Sequence, residues 1–182
     1  ELAGWLAGEG LVTRFVAAVD AVANGESPRS ELPELAPRAR FEPEERGGRL
    51  FLGPRSQARY DLVTAVFESL DASACARVHR ALGPLFAQAY AQIGRRRDDF
   101  DATLARAFRE LLRAPVRDGD LELVAGIRSD RFADPALEAL GPAQKSLLRM
   151  GPRNARRVQA KLRELAAALG LGATEGERSP SP

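Results

Sequence analysis

The chain is poor in the residues that carry most protein chemistry: one cysteine, one histidine, one tryptophan and one methionine in 182 residues. A single cysteine, Cys75, forbids an intrachain disulfide and leaves the redox compartment open. A single histidine excludes zinc sites built from several His or Cys ligands, and any imidazole base has to be His79. No stretch approaches the roughly 18 to 20 apolar residues that cross a bilayer, and the start has no charged segment leading into an apolar one. Lysine is scarce as well. Lys145 and Lys161 are the only lysines among 27 basic residues, a skew that with abundant alanine reads as genome composition, so an isolated arginine is weak evidence for binding. The chain begins at Glu1 rather than methionine and reads as a piece of a longer protein, with any anchor or signal lying upstream.

What is present is an ordinary globular composition, 45% hydrophobic with a formal net charge of +2. One domain over residues 1–170 is expected. The small, polar, Pro-ended stretch 171–182 is expected to be a disordered tail. The charge is uneven: residues 1–94 carry 10 basic and 12 acidic groups, residues 95–182 carry 17 and 13. The basic surplus therefore lies in the second half.

The spacing of apolar residues predicts a mostly helical chain. Glu1 to Ala7 reads as a short helical turn, and Leu11, Val12, Phe15, Val16, Val19 and Val22 mark one helix face that Asn24-Gly25 closes. Pro28, Pro33 and Pro37 make residues 26–40 an ordered connector. Phe41 to Leu52 reads as a β-hairpin turning at Gly47-Gly48, with Pro43 confining its first strand to an edge. Gly53-Pro54 opens a helix with Tyr60, Val63, Val66, Phe67 and Leu70 on one side. Asp71 caps the next, where Cys75, Val78, Leu82, Leu85, Phe86, Ala89 and Ile93 keep helical spacing and Pro84 predicts a kink or a break. A helix beginning near Asp98 buries Phe100, Leu104, Ala107, Phe108, Leu111 and Leu112. Leu121–Val124 and Ile127–Phe132 are strand-like and can join the hairpin in a small sheet. Pro135, Pro142 and Pro152 then start three helices in succession, the last stacking Ala155, Val158, Leu162, Leu165 and Leu169.

No constellation rises to a reaction, and no motif asks for a cofactor or a metal. Cys75 and His79 are four apart and therefore neighbours on one helix, so a nucleophilic pair is conceivable, but their stripe is apolar and a buried thiol beside a partly exposed imidazole explains them better. Paired acids such as Glu44 with Glu45, or Asp98 with Asp101, are explained by a solvated hairpin and by helix capping. The signal that stands out is basic. Between Lys145 and Leu165 seven basic residues face Glu164 alone, a local net of +6. Arg153, Arg156 and Arg157 sit in the first turns of the last helix, where cations oppose the helix dipole, a placement easier to understand with an anion nearby. Lys145, Arg149, Arg153, Arg156, Arg157 and Lys161 are accordingly the candidate partner- or anion-binding residues. Internal acids such as Asp130, Asp134 or Glu138, folding against these residues, account for the cluster more simply. Met150 to Val158 also has a faint likeness to the second half of a helix-hairpin-helix turn, which keeps nucleic acid as a minority reading.

Ala3-Gly-Trp-Leu6, Leu11-Val-Thr-Arg-Phe-Val16, Ala58-Arg-Tyr-Asp61, Phe100 to Ala105, Phe132 to Leu140 and Lys145 to Leu165 together resemble the bacterial domain-of-unknown-function family 3014 over residues 2–169. The resemblance implies a proteobacterial envelope protein with an N-terminal transmembrane anchor and a Pro-rich linker, its domain facing the periplasm. It brings no known activity, so it assigns no functional residues. The expectation is a mainly α single domain with a small antiparallel β-hairpin or sheet, acting as a non-enzymatic protein-binding or scaffolding module. Its partner would be an unknown protein or an anionic component of the envelope. The alternatives are an enzyme with a cryptic carboxylate or Cys75/His79 site, and a nucleic-acid-binding domain using its last two helices.

Overall fold

A computed structural model describes residues 10–95, 99–126 and 130–171, the side chain of Glu34 apart. Eight α-helices occur among them: α1 Leu11–Ala23, α2 Pro54–Ala58, α3 Asp61–Glu68, α4 Ala72–Gln92, α5 Phe100–Leu112, α6 Pro135–Glu138, α7 Pro142–Leu148 and α8 Gly151–Leu169. Four short strands, β1 Glu44–Arg46, β2 Arg49–Phe51, β3 Glu122–Val124 and β4 Arg131–Phe132, form one antiparallel sheet in that order. The chain is thus mainly α with a small sheet. The expected first turn at Glu1–Ala7, the helix start at Asp98, part of the Ile127–Phe132 strand and the tail from residue 172 lie outside the described residues.

The hairpin turns where two glycines allow it. Gly47 and Gly48 adopt φ of 58° and 75°, the positive pair that a two-residue turn needs. Leu50 and Phe51 of β2 then pair with Leu123 and Glu122 of β3, so the second strand-like segment joins the first. Leu52, 1% exposed, follows β2 into the core, its N–H donating to the Leu121 carbonyl at 2.8 Å.

Helices α1, α4 and α5 enclose one core around Val16, Phe86, Tyr90, Phe100 and Leu104. Its polar node is the Tyr90 hydroxyl, 2.7 Å from Thr103 Oγ1 and 3.2 Å from Asp20 Oδ1, which joins all three helices. A second core lies between the sheet and helices α6 and α7, built from Leu52, Leu123, Phe132, Leu137 and Leu148. Helix α8 packs against α3, α4, α5 and α7 and buries Ala155, Leu162 and Leu165. Where α1 ends, α7 docks: the Ala143 N–H donates to the Gly25 carbonyl at 3.0 Å.

Three expectations are corrected. Helix α4 passes through Pro84 unbroken. The proline costs one backbone hydrogen bond, and its ring finds no Cβ on the preceding Gly83 to strike. The expected stripe of α4 faces the core through Leu82, Leu85, Phe86, Ala89 and Ile93, but Val78 is half exposed at 50%, and Ala76, Tyr90 and the His79 side chain, 15% exposed, pack inward beside the stripe. The segment 54–70 divides into α2 and α3, and α3 turns Asp61, Thr64 and Glu68 toward α8, leaving Leu62 and Val66 exposed. There Asp61 bonds to Asn154 and Glu68 to Arg157, and of the expected stripe Tyr60, Val63 and Phe67 stay half-buried while Val66 and Leu70 are exposed.

Candidate functional site

The six basic residues singled out in the sequence separate into three places. Lys145 and Arg149, one turn apart on α7, share a wall of an open cleft. Lys145 Nζ donates to the Glu138 carbonyl at 3.0 Å and to Glu138 Oε1 at 3.1 Å. Arg149 donates to the Asp130 carbonyl at 2.8 Å, its guanidinium 5.2 Å from the centre of the Phe132 ring. On α8, Arg157 is ion-paired with Glu68 of α3, and the charges of Arg153 and Lys161 act on the same carboxylate. Arg156 points elsewhere, forming a two-bond pair with Asp118, both bonds 2.7 Å.

Lys161 is not on an outward face. It is 8% exposed, and its ammonium donates to the Leu70 carbonyl at 3.0 Å and to Glu164 at 2.5 Å, holding the segment after α3 against α8. The start of α8 is occupied too. Asn154, 2% exposed, donates to Asp61 Oδ1 at 2.8 Å, so a carboxylate already sits near the positive end of the helix dipole. Arg153 apart, the cations in the first turns of α8 thus have their anions inside the chain. Those are Asp61, Glu68 and Asp118, whereas Glu138 pairs with Lys145 and Asp134 pairs with Arg117.

The cleft containing Lys145 and Arg149 measures about 630 Å3. Arg29 and Ser30 line it from the connector after α1, Arg131 from β4, Glu138 from the end of α6 and Ser146 from α7. Four cations thus surround one carboxylate. Burial pulls the Glu138 carboxyl up, but the Lys145 ammonium, the Phe132 N–H and the charges of Lys145 and Arg149 outweigh it and hold the group below its usual value. Arg29 and Arg131 have no ion-pair partner among the described residues. A second cleft of about 400 Å3 is acidic, and there every carboxylate is matched: Asp118 by Arg156, Asp120 by Arg46, Glu122 by Arg49 and Asp134 by Arg117.

The Cys75/His79 pair does not form. No hydrogen bond joins them; His79 Nε2 instead lies 2.7 Å from Asp101 Oδ1, and its ring stacks on Phe86 with centroids 5.2 Å apart. The imidazole fastens α4 to α5. Among the described residues no group of three or more His, Cys, Asp or Glu side chains is placed to hold a metal ion.

A model of a protein family, described as a protein of unknown function (DUF3014), matches residues 11–166. The chain belongs to the DUF3014 family. No curated protein and no solved structure matches it. No helix among the described residues of this DUF3014 domain is long and apolar enough to cross a membrane.

Three buried polar side chains on α7 and α8 had no sequence signal beyond their position between apolar neighbours. Gln144 donates to the Glu110 carbonyl at 3.1 Å and Asn154 reaches α3. Gln159, 6% exposed, reaches three carbonyls at the end of α5, those of Leu111, Leu112 and Ala114, at 3.0, 3.4 and 3.1 Å. Gln159→Leu keeps the shape but removes a donor from all three carbonyls, of which those of Leu111 and Ala114 keep a backbone N–H, and is expected to lower the unfolding free energy by about 1–2 kcal/mol in urea titration.

The paired carboxylates also set a pH dependence. Arg157 holds the Glu68 carboxyl below its usual value of 4.5, and Arg156 holds Asp118 below 3.8. A folded-state value below the unfolded one gives stability that is complete above the unfolded value and is lost as pH falls through the folded value. Stability is therefore expected to be level from about pH 7 to about pH 5 and to decline below that. A rise in the urea midpoint on acidification would contradict the pairing.

Proposed function

We propose that this DUF3014 domain is a non-enzymatic protein-binding or scaffolding module of the bacterial envelope, engaging its partner through the basic side of its C-terminal helices. The observation that carries this reading is the division of labour among the charged groups. The acidic cleft is neutralised internally, whereas the basic side keeps Arg29 and Arg131 without an ion-pair partner and Arg153 exposed. A concave basic surface raises the local concentration of an acidic partner and orients its approach. The single imidazole serves as a packed, hydrogen-bonded link between α4 and α5, a use that fits a structural residue.

The placement at the periplasmic face of the inner membrane rests on the family resemblance, with an anchor preceding this chain. Fusing alkaline phosphatase to the C-terminus of the full-length gene product tests it: active enzyme is expected, and inactive enzyme would overturn the placement. For the binding reading, the domain is used to capture partners from an envelope extract, alongside Arg149→Glu/Arg153→Glu and a control reversed at Arg77 and Arg80, which are exposed on α4 and outside the cleft. Specific capture lost in the first variant and kept in the control is expected. Capture unchanged by the first variant would overturn it.

A further inference from the structure

The basic cleft offers more than a diffuse charge, because part of it already binds a carboxylate. Glu138 is seated there by the Lys145 ammonium at 3.1 Å and by the Phe132 N–H at 3.0 Å. Arg29 and Arg131, at the mouth, are exposed and carry no ion pair among the described residues. With Arg149 they leave three guanidiniums on three separate elements beyond the pair that Glu138 makes.

We propose that this cleft is a docking site for a carboxylate-rich, acidic segment of a partner protein, with Arg29 and Arg131 as its principal anchors and Glu138 as a built-in competitor. The proposal rests on the binding reading above and gives it a location and a ligand class. Three features select this occupant. The cleft, about 630 Å3 and open to solvent, has room for several residues of extended chain, far more than a lone ion, and lies within the usual size range of ligand sites. Guanidinium forks match carboxylates with two bonds each. The Glu138 carboxylate, seated by the Lys145 ammonium and the Phe132 N–H, shows that this cleft already coordinates a carboxylate.

The fixed carboxylate makes a prediction that a merely basic patch does not. Neutralising Glu138 removes the one negative charge lining the cleft, so it should strengthen binding even though it removes a bond to Lys145. The test uses the full chain and a fluorescein-labelled hexaglutamate peptide, read by fluorescence anisotropy at low salt. Wild type is expected to bind. Arg29→Glu/Arg131→Glu should weaken binding by about tenfold or more, and Glu138→Gln should tighten it about threefold, with circular dichroism confirming that both remain folded. Arg163→Glu, on α8 and exposed, should leave the affinity within about twofold, since that charge lies outside the cleft.

The proposal is overturned if hexaglutamate does not bind, or if Arg29→Glu/Arg131→Glu leaves its affinity unchanged. Inorganic phosphate or a single-stranded DNA oligonucleotide displacing the peptide at lower concentration than unlabelled hexaglutamate would overturn the ligand class. If partner capture from extract is lost in Arg149→Glu/Arg153→Glu while Arg29→Glu/Arg131→Glu captures normally, the module reading stands and the cleft is not its site.

Discussion

Phe100→Ala is expected to lower the unfolding free energy by about 3–5 kcal/mol, a large share of the roughly 5–15 kcal/mol that stabilises a domain of this size. Phe100 opens α5, is 6% exposed, and its ring lies 5.2 Å from Phe86, 5.6 Å from Tyr90 and 6.3 Å from both Phe15 and His79. Its removal opens a cavity where α1, α4 and α5 meet, and rings held in place by neighbouring rings collapse poorly into the space. The packed imidazole of His79 loses one of its two stacking partners at the same time. Phe100→Leu retains most of the volume and should cost about 1–1.5 kcal/mol. Urea denaturation of both variants decides the matter. A loss below about 1 kcal/mol for the alanine variant would mean that this cluster does not organise the core.

Gly151→Ala is the second large effect, and it joins two costs that a control separates. Gly151 has a φ of 78°, and a Cβ built there would lie 2.3 Å from Gln57 Oε1 and 2.8 Å from its Cγ. The Gln57 side chain cannot simply swing away at no cost, because its amide donates to the Leu52 carbonyl at 2.9 Å. Left-handed backbone at a non-glycine residue costs about 1–2 kcal/mol, and losing the Gln57 bond adds about 1 kcal/mol. Gly170→Ala supplies the reference. Gly170 has a similar φ of 71° with nothing within 4 Å of the Cβ position, so only the backbone cost applies. Gly151→Ala is expected to destabilise by about 2–3 kcal/mol and Gly170→Ala by about 1–2 kcal/mol. Equal losses would remove the Gln57 contact from the account.

Much of the helical framework was legible because local rules dominate it. Every Gly-Pro or Asp-Pro step except Gly83-Pro84, which lies inside α4, starts a helix near its proline, Asp71 caps α4 by accepting from the Ala74 N–H, and the two hairpin glycines turn as their chemistry requires. What sequence periodicity missed was decided between elements. Leu62 and Val66 of α3 face outward while Asp61 and Glu68 find partners on α8, a choice that depends on Asn154 and Arg157 nearly ninety residues away or more. His79 packs on the rings of Phe86 and Phe100 and meets the exposed Asp101 at its outer edge, whereas the apolar Val78 beside it is half exposed.

The candidate site was legible only as charge. The local excess of basic residues is real, but sequence carries no information on which acids return to meet them. Asp61, Glu68 and Asp118 belong to segments with no pattern linking them to α8. Nor could spacing along α7 reveal that Lys145 and Arg149 would share a cleft with Arg29 and Arg131, more than a hundred residues apart from each other. The basic cluster therefore divides in two. Arg156, Arg157 and Lys161 fasten α8 to its neighbours, and Lys145 and Arg149 help to form a basic concavity.

That division is tested most directly by backbone amide chemical shifts of the 15N-labelled domain titrated with hexaglutamate. Saturable shifts are expected at Ser27, Arg29, Ser30 and Arg131 and at residues 145–149, with the amides of Asp118, Glu68 and the first turns of α8 unmoved. Shifts centred on Arg153, Arg156 and Arg157, with the cleft residues silent, would contradict it.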